Sequence, residues 1–288
     1  MSRPQSQTTS SHRWIGGDDR GSVLCYSGSF LMDSRMSAIS FCYIKSGFVI
    51  AADGLSRTLD SATGTYRPNG DKHQKIYPLL GSGRILAYGM MGEAVASEDN
   101  SFNLKAEIDR QQKRLATKQF PNLRDYLGAI GIKLRKAYEK ATKTCLDYKP
   151  PPDAQDEYDR LLARVIAVGY VAAKPSCVQA EFFFEDKGRV ELRVTTVPLR
   201  PGIPALAAPR AIPGIIDTDP RFEEYRLPFG PDISLEDARA LIKRRLEACA
   251  TPLAAEIEPL CSGIGGHIHI AAVTPSGFDW LEAPVTAD

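Results

Sequence analysis

Residues 37–54, Ser-Ala-Ile-Ser-Phe-Cys-Tyr-Ile-Lys-Ser-Gly-Phe-Val-Ile-Ala-Ala-Asp-Gly, constrain the fold more than any other part of the chain. Two apolar, β-branched and aromatic runs flank Lys45-Ser46-Gly47, a pattern that predicts strands at about 38–44 and 47–53 joined by a tight turn. An antiparallel return carries Asp53 back to the strand end that Ser37 opens. A small hydroxyl and a carboxylate are thereby brought together at one edge.

The rest of the chain continues in blocks. A polar segment with Gly64, Pro68 and Gly70 reads as a loop or loose hairpin, and 75–80 and 84–91 read as a strand pair around Gly81-Ser82-Gly83. Leu104, Ile108 and Leu115, then Leu127, Ile130, Ile132, Leu134 and Tyr138, recur at helical spacing and predict helices over 103–119 and 123–146. Strands are expected at 163–173, 177–185 and 190–197, followed by mostly irregular surface from Pro198 to Pro231. Ser234, with Asp237 three positions on, predicts a capped helix to about Ala250. A closing hairpin spans 267–273 and 278–281 around Pro275-Ser276-Gly277. Strand runs alternating with helix pairs suit antiparallel sheets covered by helices, an α+β class, and not a doubly wound parallel sheet. The two strand pairs 37–53 and 75–91 are expected to share one sheet.

Composition narrows the function classes. Apolar residues make up 43% of the 288 and charged residues 25%, as in ordinary soluble globular proteins. A formal net charge of +1 argues against nucleic acid or an anionic membrane as a default partner. No apolar run reaches the roughly 20 residues that span a bilayer. The polar first residues lack the apolar core of a secretory signal, so a cytoplasmic setting is expected. Cys25, Cys42, Cys145, Cys177, Cys249 and Cys261 form no CxxC pair, and most read as small buried hydrophobes. His267 and His269, two apart on a predicted strand, share a face but have no third ligand, so no metal or other cofactor is expected. Gly263, Gly265 and Gly266 lack the Lys-Ser/Thr of a phosphate loop. Lys243-Arg244-Arg245 reads as the solvated face of its helix.

Ser37, Asp53 and a later lysine compose a hydrolytic site that needs no histidine. A serine hydroxyl requires a base within reach, and a free α-amino group on that same serine can serve, with a pKa of about 7.7–8.0 in model peptides. A neighbouring ammonium favours the neutral amine, and a carboxylate holds the ammonium in place.

The Ser37-to-Asp53 spacing, the Ala51-Ala52-Asp53 strand end and Gly265-Gly266-His267-Ile268-His269-Ile270 before Pro275-Ser276-Gly277-Phe278 resemble the β-type proteasome subunits and their bacterial relatives, N-terminal nucleophile hydrolases. The resemblance covers about residues 37–95 and 260–282. It implies a four-layer α-β-β-α sandwich of two antiparallel sheets. It also implies Ser37 as nucleophile, Asp53 as the carboxylate and Lys75 as the ammonium, with Lys72 the weaker choice. Gly92, after the fourth strand of that pattern and at the start of the first long helix, takes the oxyanion position. The implied partners are a peptide or protein substrate and like subunits in a homo-oligomeric ring, with no ATPase partner named. Three departures accompany it, the first being a nucleophile that is Ser and not the family's usual Thr. Cys261 and Ile264 stand where the family's supporting Asp and Ser fall, with Ser262 adjacent, and Ser37 lies behind 36 residues. The expected organisation is an N-terminal extension or propeptide at 1–36 and one hydrolase domain at 37–288. Met36 before so small a residue as Ser37 suits a translation start whose methionine is removed. The alternative is a non-catalytic subunit that keeps the sandwich for assembly.

Overall fold

β1 (Ile39–Ile44) and β2 (Gly47–Ala52) pair antiparallel from Ile39↔Ala52 to Ile44↔Gly47, as the opening sequence pattern requires. The computed structural model describes residues 37–60, 65–81, 83–92, 102–142, 160–185 and 188–285; the sequence reading of 1–36 and the helix end at 143–146 fall outside them.

A short hairpin, β3 (Ser56–Asp60) and β4 (Thr65–Gly70), leads to β5 (Ile76–Gly81) and β6 (Arg84–Gly92). Helices α1 (Leu104–Leu115) and α2 (Leu123–Thr142) follow, then β7 (Leu161–Val171), β8 (Lys174–Glu185) and β9 (Arg189–Val197). The chain continues through β10 (Pro204–Ala207), α3 (Ile212–Thr218), a 3₁₀ turn (Pro220–Tyr225), α4 (Leu235–Cys249) and α5 (Pro252–Ile257). It closes on β11 (His269–Thr274) and β12 (Gly277–Glu282). Two five-stranded antiparallel sheets result, ordered β10-β1-β2-β11-β12 and β5-β6-β7-β8-β9.

The pleat then builds the layers. On β2, Val49 and Ala51 face one way, into a core with Ile212, Ile242 and Leu246, while Phe48, Ile50 and Ala52 face the other sheet. On β6, Leu86, Tyr88 and Met90 pack against Ile108, Leu127, Ile130 and Leu134 of α1 and α2, while Ala87 and Met91 face inward. The middle core therefore lies between the sheets and each outer core under a helix layer, giving an α-β-β-α sandwich of the α+β class. β2 is buried at every position because it is covered on both faces.

Three expectations are corrected. The pairs β1–β2 and β5–β6 lie in different sheets, which meet face to face through Ile39 and Ile50 on one side and Ala87 and Met91 on the other. The segment 198–231 is not mostly irregular surface, since a strand, a helix and a 3₁₀ turn form in it and part of it is buried. Pro204 opens an edge strand, where a missing N–H is tolerated, and Ile212, Ile216 and Phe222 are buried. Arg245 is not on a solvated face but is buried and pairs bidentately with Asp217 of α3, since position 245 lies one turn from Leu241 and Ile242 on the inner side of α4. Lys243, by contrast, reaches Glu282 at 2.7 Å from a half-exposed position. Ser234 caps α4 as expected, accepting from the Asp237 amide at 3.1 Å. Among the described residues no helix is long and apolar enough to cross a membrane.

Candidate active site

The site forms where the β1–β2 ladder runs out. Beyond the last strand pair, the Asp53 amide still donates to the Ala38 carbonyl at 3.3 Å. The return bond is made by a side chain: the Ala38 amide donates to Asp53 Oδ1 at 2.8 Å. The carboxylate thus completes the ladder and fixes the backbone adjoining Ser37. Its other oxygen, Oδ2, accepts from the Lys75 ammonium at 2.9 Å and from the Gly265 amide at 3.4 Å.

Lys75 stands one residue before β5, in the opposite sheet, and its ammonium also donates to Ser37 Oγ at 2.8 Å. Ser37, Asp53 and Lys75 are all buried, the last two side chains being 1% and 7% exposed. The ion pair is electrically balanced, yet one of its donors is directed at a hydroxyl. Ion-paired, Lys75 is a donor with no lone pair to accept a proton, so it polarises Ser37 Oγ without deprotonating it. Lys72, the weaker lysine of the sequence reading, is exposed.

Gly92 is the last residue of β6, not the start of a helix, with φ +96°. A Cβ there would fall 2.4 Å from the Leu162 carbonyl oxygen, so close approach of β7 requires glycine. Among the described residues no hydrogen bond joins Gly92 to Ser37, Asp53 or Lys75. Cys261 and Ile264 are buried members of the core under α4, and Ser262 is exposed, its carbonyl accepting from the Arg57 guanidinium.

Two histidines border the site that the sequence reading did not place there. His73, whose amide donates to the Gly54 carbonyl at 2.8 Å, has its pKa lowered by partial burial and by the Lys75 charge, with Asp53 opposing. His269 is fully buried and touches the Lys75 backbone directly. His267 precedes β11, so the alternation that would put it on one face with His269 does not apply; its ring meets the Ala283 carbonyl instead. Among the described residues no group of three His, Cys, Asp or Glu side chains is arranged to hold a metal. The fragment Gly-Gly-His-Ile-His was the available signal for His269, but spacing alone does not reveal which backbone it contacts.

No family model matches the sequence, and no curated protein does. Among solved structures, a chain described as "Anbu (Gly-1) mutant" from Hyphomicrobium sp. strain MC1 is 14% identical, with a TM-score of 0.45 and 88% of each chain covered. The fold assignment rests on the layers and strand order described above.

Proposed function

We propose that this chain is an amide-bond hydrolase of the N-terminal nucleophile type, cleaving peptide bonds with Ser37 as nucleophile and working as a homo-oligomer. The observation that carries the reading is the buried Lys75 ammonium held between Ser37 Oγ and Asp53 Oδ2 at 2.8 and 2.9 Å. A buried ion pair is poor value as a stability device, because apolar residues of similar volume serve as well or better. Directed at a hydroxyl, the same pair has a chemical use.

The mechanism follows from the placement. With Ser37 as first residue, its neutral α-amine takes the Oγ proton as Oγ attacks the carbonyl carbon. The Lys75 ammonium, 2.8 Å away, stabilises the charge developing on Oγ and keeps the adjacent amine from holding a proton in the ground state. Collapse of the tetrahedral intermediate breaks the C–N bond, and the protonated amine gives its proton to the leaving nitrogen. Water then attacks the ester with the amine again as base, releasing the acid and restoring Ser37. Gly92 is the proposed oxyanion donor. Behind Met36 the nitrogen of Ser37 is an amide and cannot act as base, so cleavage at that bond is part of the proposal.

Peptide anilide hydrolysis tests it. Ser37→Ala is expected to abolish turnover, and Lys75→Met and Asp53→Asn to lower kcat by about 100-fold or more while secondary structure is kept. Unchanged turnover in Ser37→Ala would overturn the reading. The second reading is a non-catalytic assembly subunit, favoured by Cys261 and Ile264 lying buried in the core where the resembling family carries supporting polar groups. Inactivity of a folded chain that begins at Ser37 would select it.

A further inference from the structure

Lys75 is held through its backbone as well as its ammonium. Its carbonyl accepts from the Met90 amide at 3.1 Å, and its own amide donates to Nε2 of His269 at 3.0 Å. The Ile76 amide donates to the same nitrogen at 3.3 Å. β5 is an edge strand, so amides at its start find no neighbouring strand on that side; the imidazole takes the place of a ladder partner. His269 lies in the other sheet, paired with Ala52, the residue before Asp53. One ring therefore ties the strand start that carries the ammonium to the strand end that carries the carboxylate.

We infer that His269 is a positioning residue: a neutral imidazole, protonated on Nδ1, whose bare Nε2 fixes the Lys75 backbone so that the ammonium meets Ser37 Oγ. The value of this for catalysis rests on the reading of Ser37 as nucleophile; the placement of Lys75 does not. The tautomer follows from the contacts, since a nitrogen that accepts from two amides carries no proton of its own. Nδ1 has no well-formed hydrogen bond among the described residues, although the His267 backbone lies near enough to favour its proton. Burial foremost, then the charge of Lys75, with His267 and His73 adding to it, pushes the pKa of His269 down to about 3. A second proton would turn Nε2 into a donor facing two donors and place a cation beside the ammonium. A histidine serving only to fill the core would need none of this.

The test uses the full chain and, for kinetics, whichever N-terminal form hydrolyses peptide anilides. Nitrogen-15 NMR of the wild-type imidazole is expected to show the Nδ1–H tautomer at neutral pH; an Nε2–H tautomer would overturn the inference without any substitution. Next, His269→Leu removes the acceptor at similar volume, and His269→Gln keeps one. His269→Leu is expected to displace the Lys75 ammonium resonance and to lower kcat about 10–100-fold with KM within about threefold. His269→Gln is expected to keep the resonance and to recover most of kcat. Equal impairment in both variants, or none in a folded His269→Leu, would refute the assignment. Should Ser37→Ala prove as active as wild type while only His269→Leu moves the ammonium, the placement of Lys75 stands and the serine chemistry falls.

Discussion

Removing both partners of the Lys75–Asp53 pair is expected to cost less than the two single removals added together. Lys75→Met leaves the Asp53 carboxylate 1% exposed, with the Ala38 amide at 2.8 Å and the Gly265 amide at 3.4 Å as its remaining donors. A buried charge deprived of its partner costs about 3–5 kcal/mol. Asp53→Asn is no milder. Whichever way the amide turns, its NH₂ faces a donor, either the Lys75 ammonium on the Oδ2 side or the Ala38 amide on the Oδ1 side. The double variant retains neither orphan charge, so its cost is expected to fall short of the sum of the singles by about 2–3 kcal/mol. Urea unfolding followed by far-ultraviolet circular dichroism measures this, with the denaturant slope unchanged across the four proteins. Additive losses, or a loss below about 1 kcal/mol for Lys75→Met, would show that the pair is not closed in solution.

Acidification is expected to destabilise the fold through His269, whose folded pKa of about 3 lies below its ordinary 6.5. The unfolded chain then binds more protons between those limits. The contribution is complete above pH 6.5 and is lost towards pH 3, at up to about 1.4 kcal/mol per pH unit. Urea midpoints from pH 4 to 7 should flatten in His269→Gln, with a residual slope from His73, which is lowered in the same direction by burial and the Lys75 charge; an unchanged slope would remove His269 as the cause. Gly266→Ala is expected to cost about 3 kcal/mol in the same assay, because φ is +71° and a Cβ would lie 2.4 Å from the Asp71 carbonyl oxygen. Arg84→Met should cost about 2–3 kcal/mol, since this buried guanidinium donates to the Leu115, Ala116 and Lys118 carbonyls at the end of α1 and lies 4.3 Å from the Tyr126 ring centroid. Arg84→Lys should recover little of that, as a single ammonium cannot span the three carbonyls.

Where the sequence carried a period or a turn signature, it placed elements to within a few residues. The two-strand pattern across Lys45-Ser46-Gly47, the helical spacing from Leu127 to Tyr138 and the Ser234 cap all describe what forms. Local pattern did not reveal which sheet a strand joins. β1–β2 and β5–β6 look alike as sequence, and only the middle core of Ile39, Ile50, Ala87 and Met91 sets them face to face. In 198–231 the prolines hide the buried Ile212, Ile216 and Phe222 from a reading of local pattern, because their burial is decided by α4 opposite them. At the site, Ser37 and Asp53 were readable because a hairpin brings them together, and Lys75 through the family resemblance. His269 was not, since its contact with Lys75 spans 194 residues and joins two sheets.

The measurement closest to the central claim is the dependence of peptide hydrolysis on the residue that begins the chain. Preparations containing different proportions of chains starting at Ser37, read by mass spectrometry, should show turnover proportional to that fraction and passing through zero. Turnover should also vanish when Ser37→Ala is introduced in the same form. Full turnover in a preparation where every chain retains Met36 would contradict the account, because the nitrogen proposed as base would then be an amide.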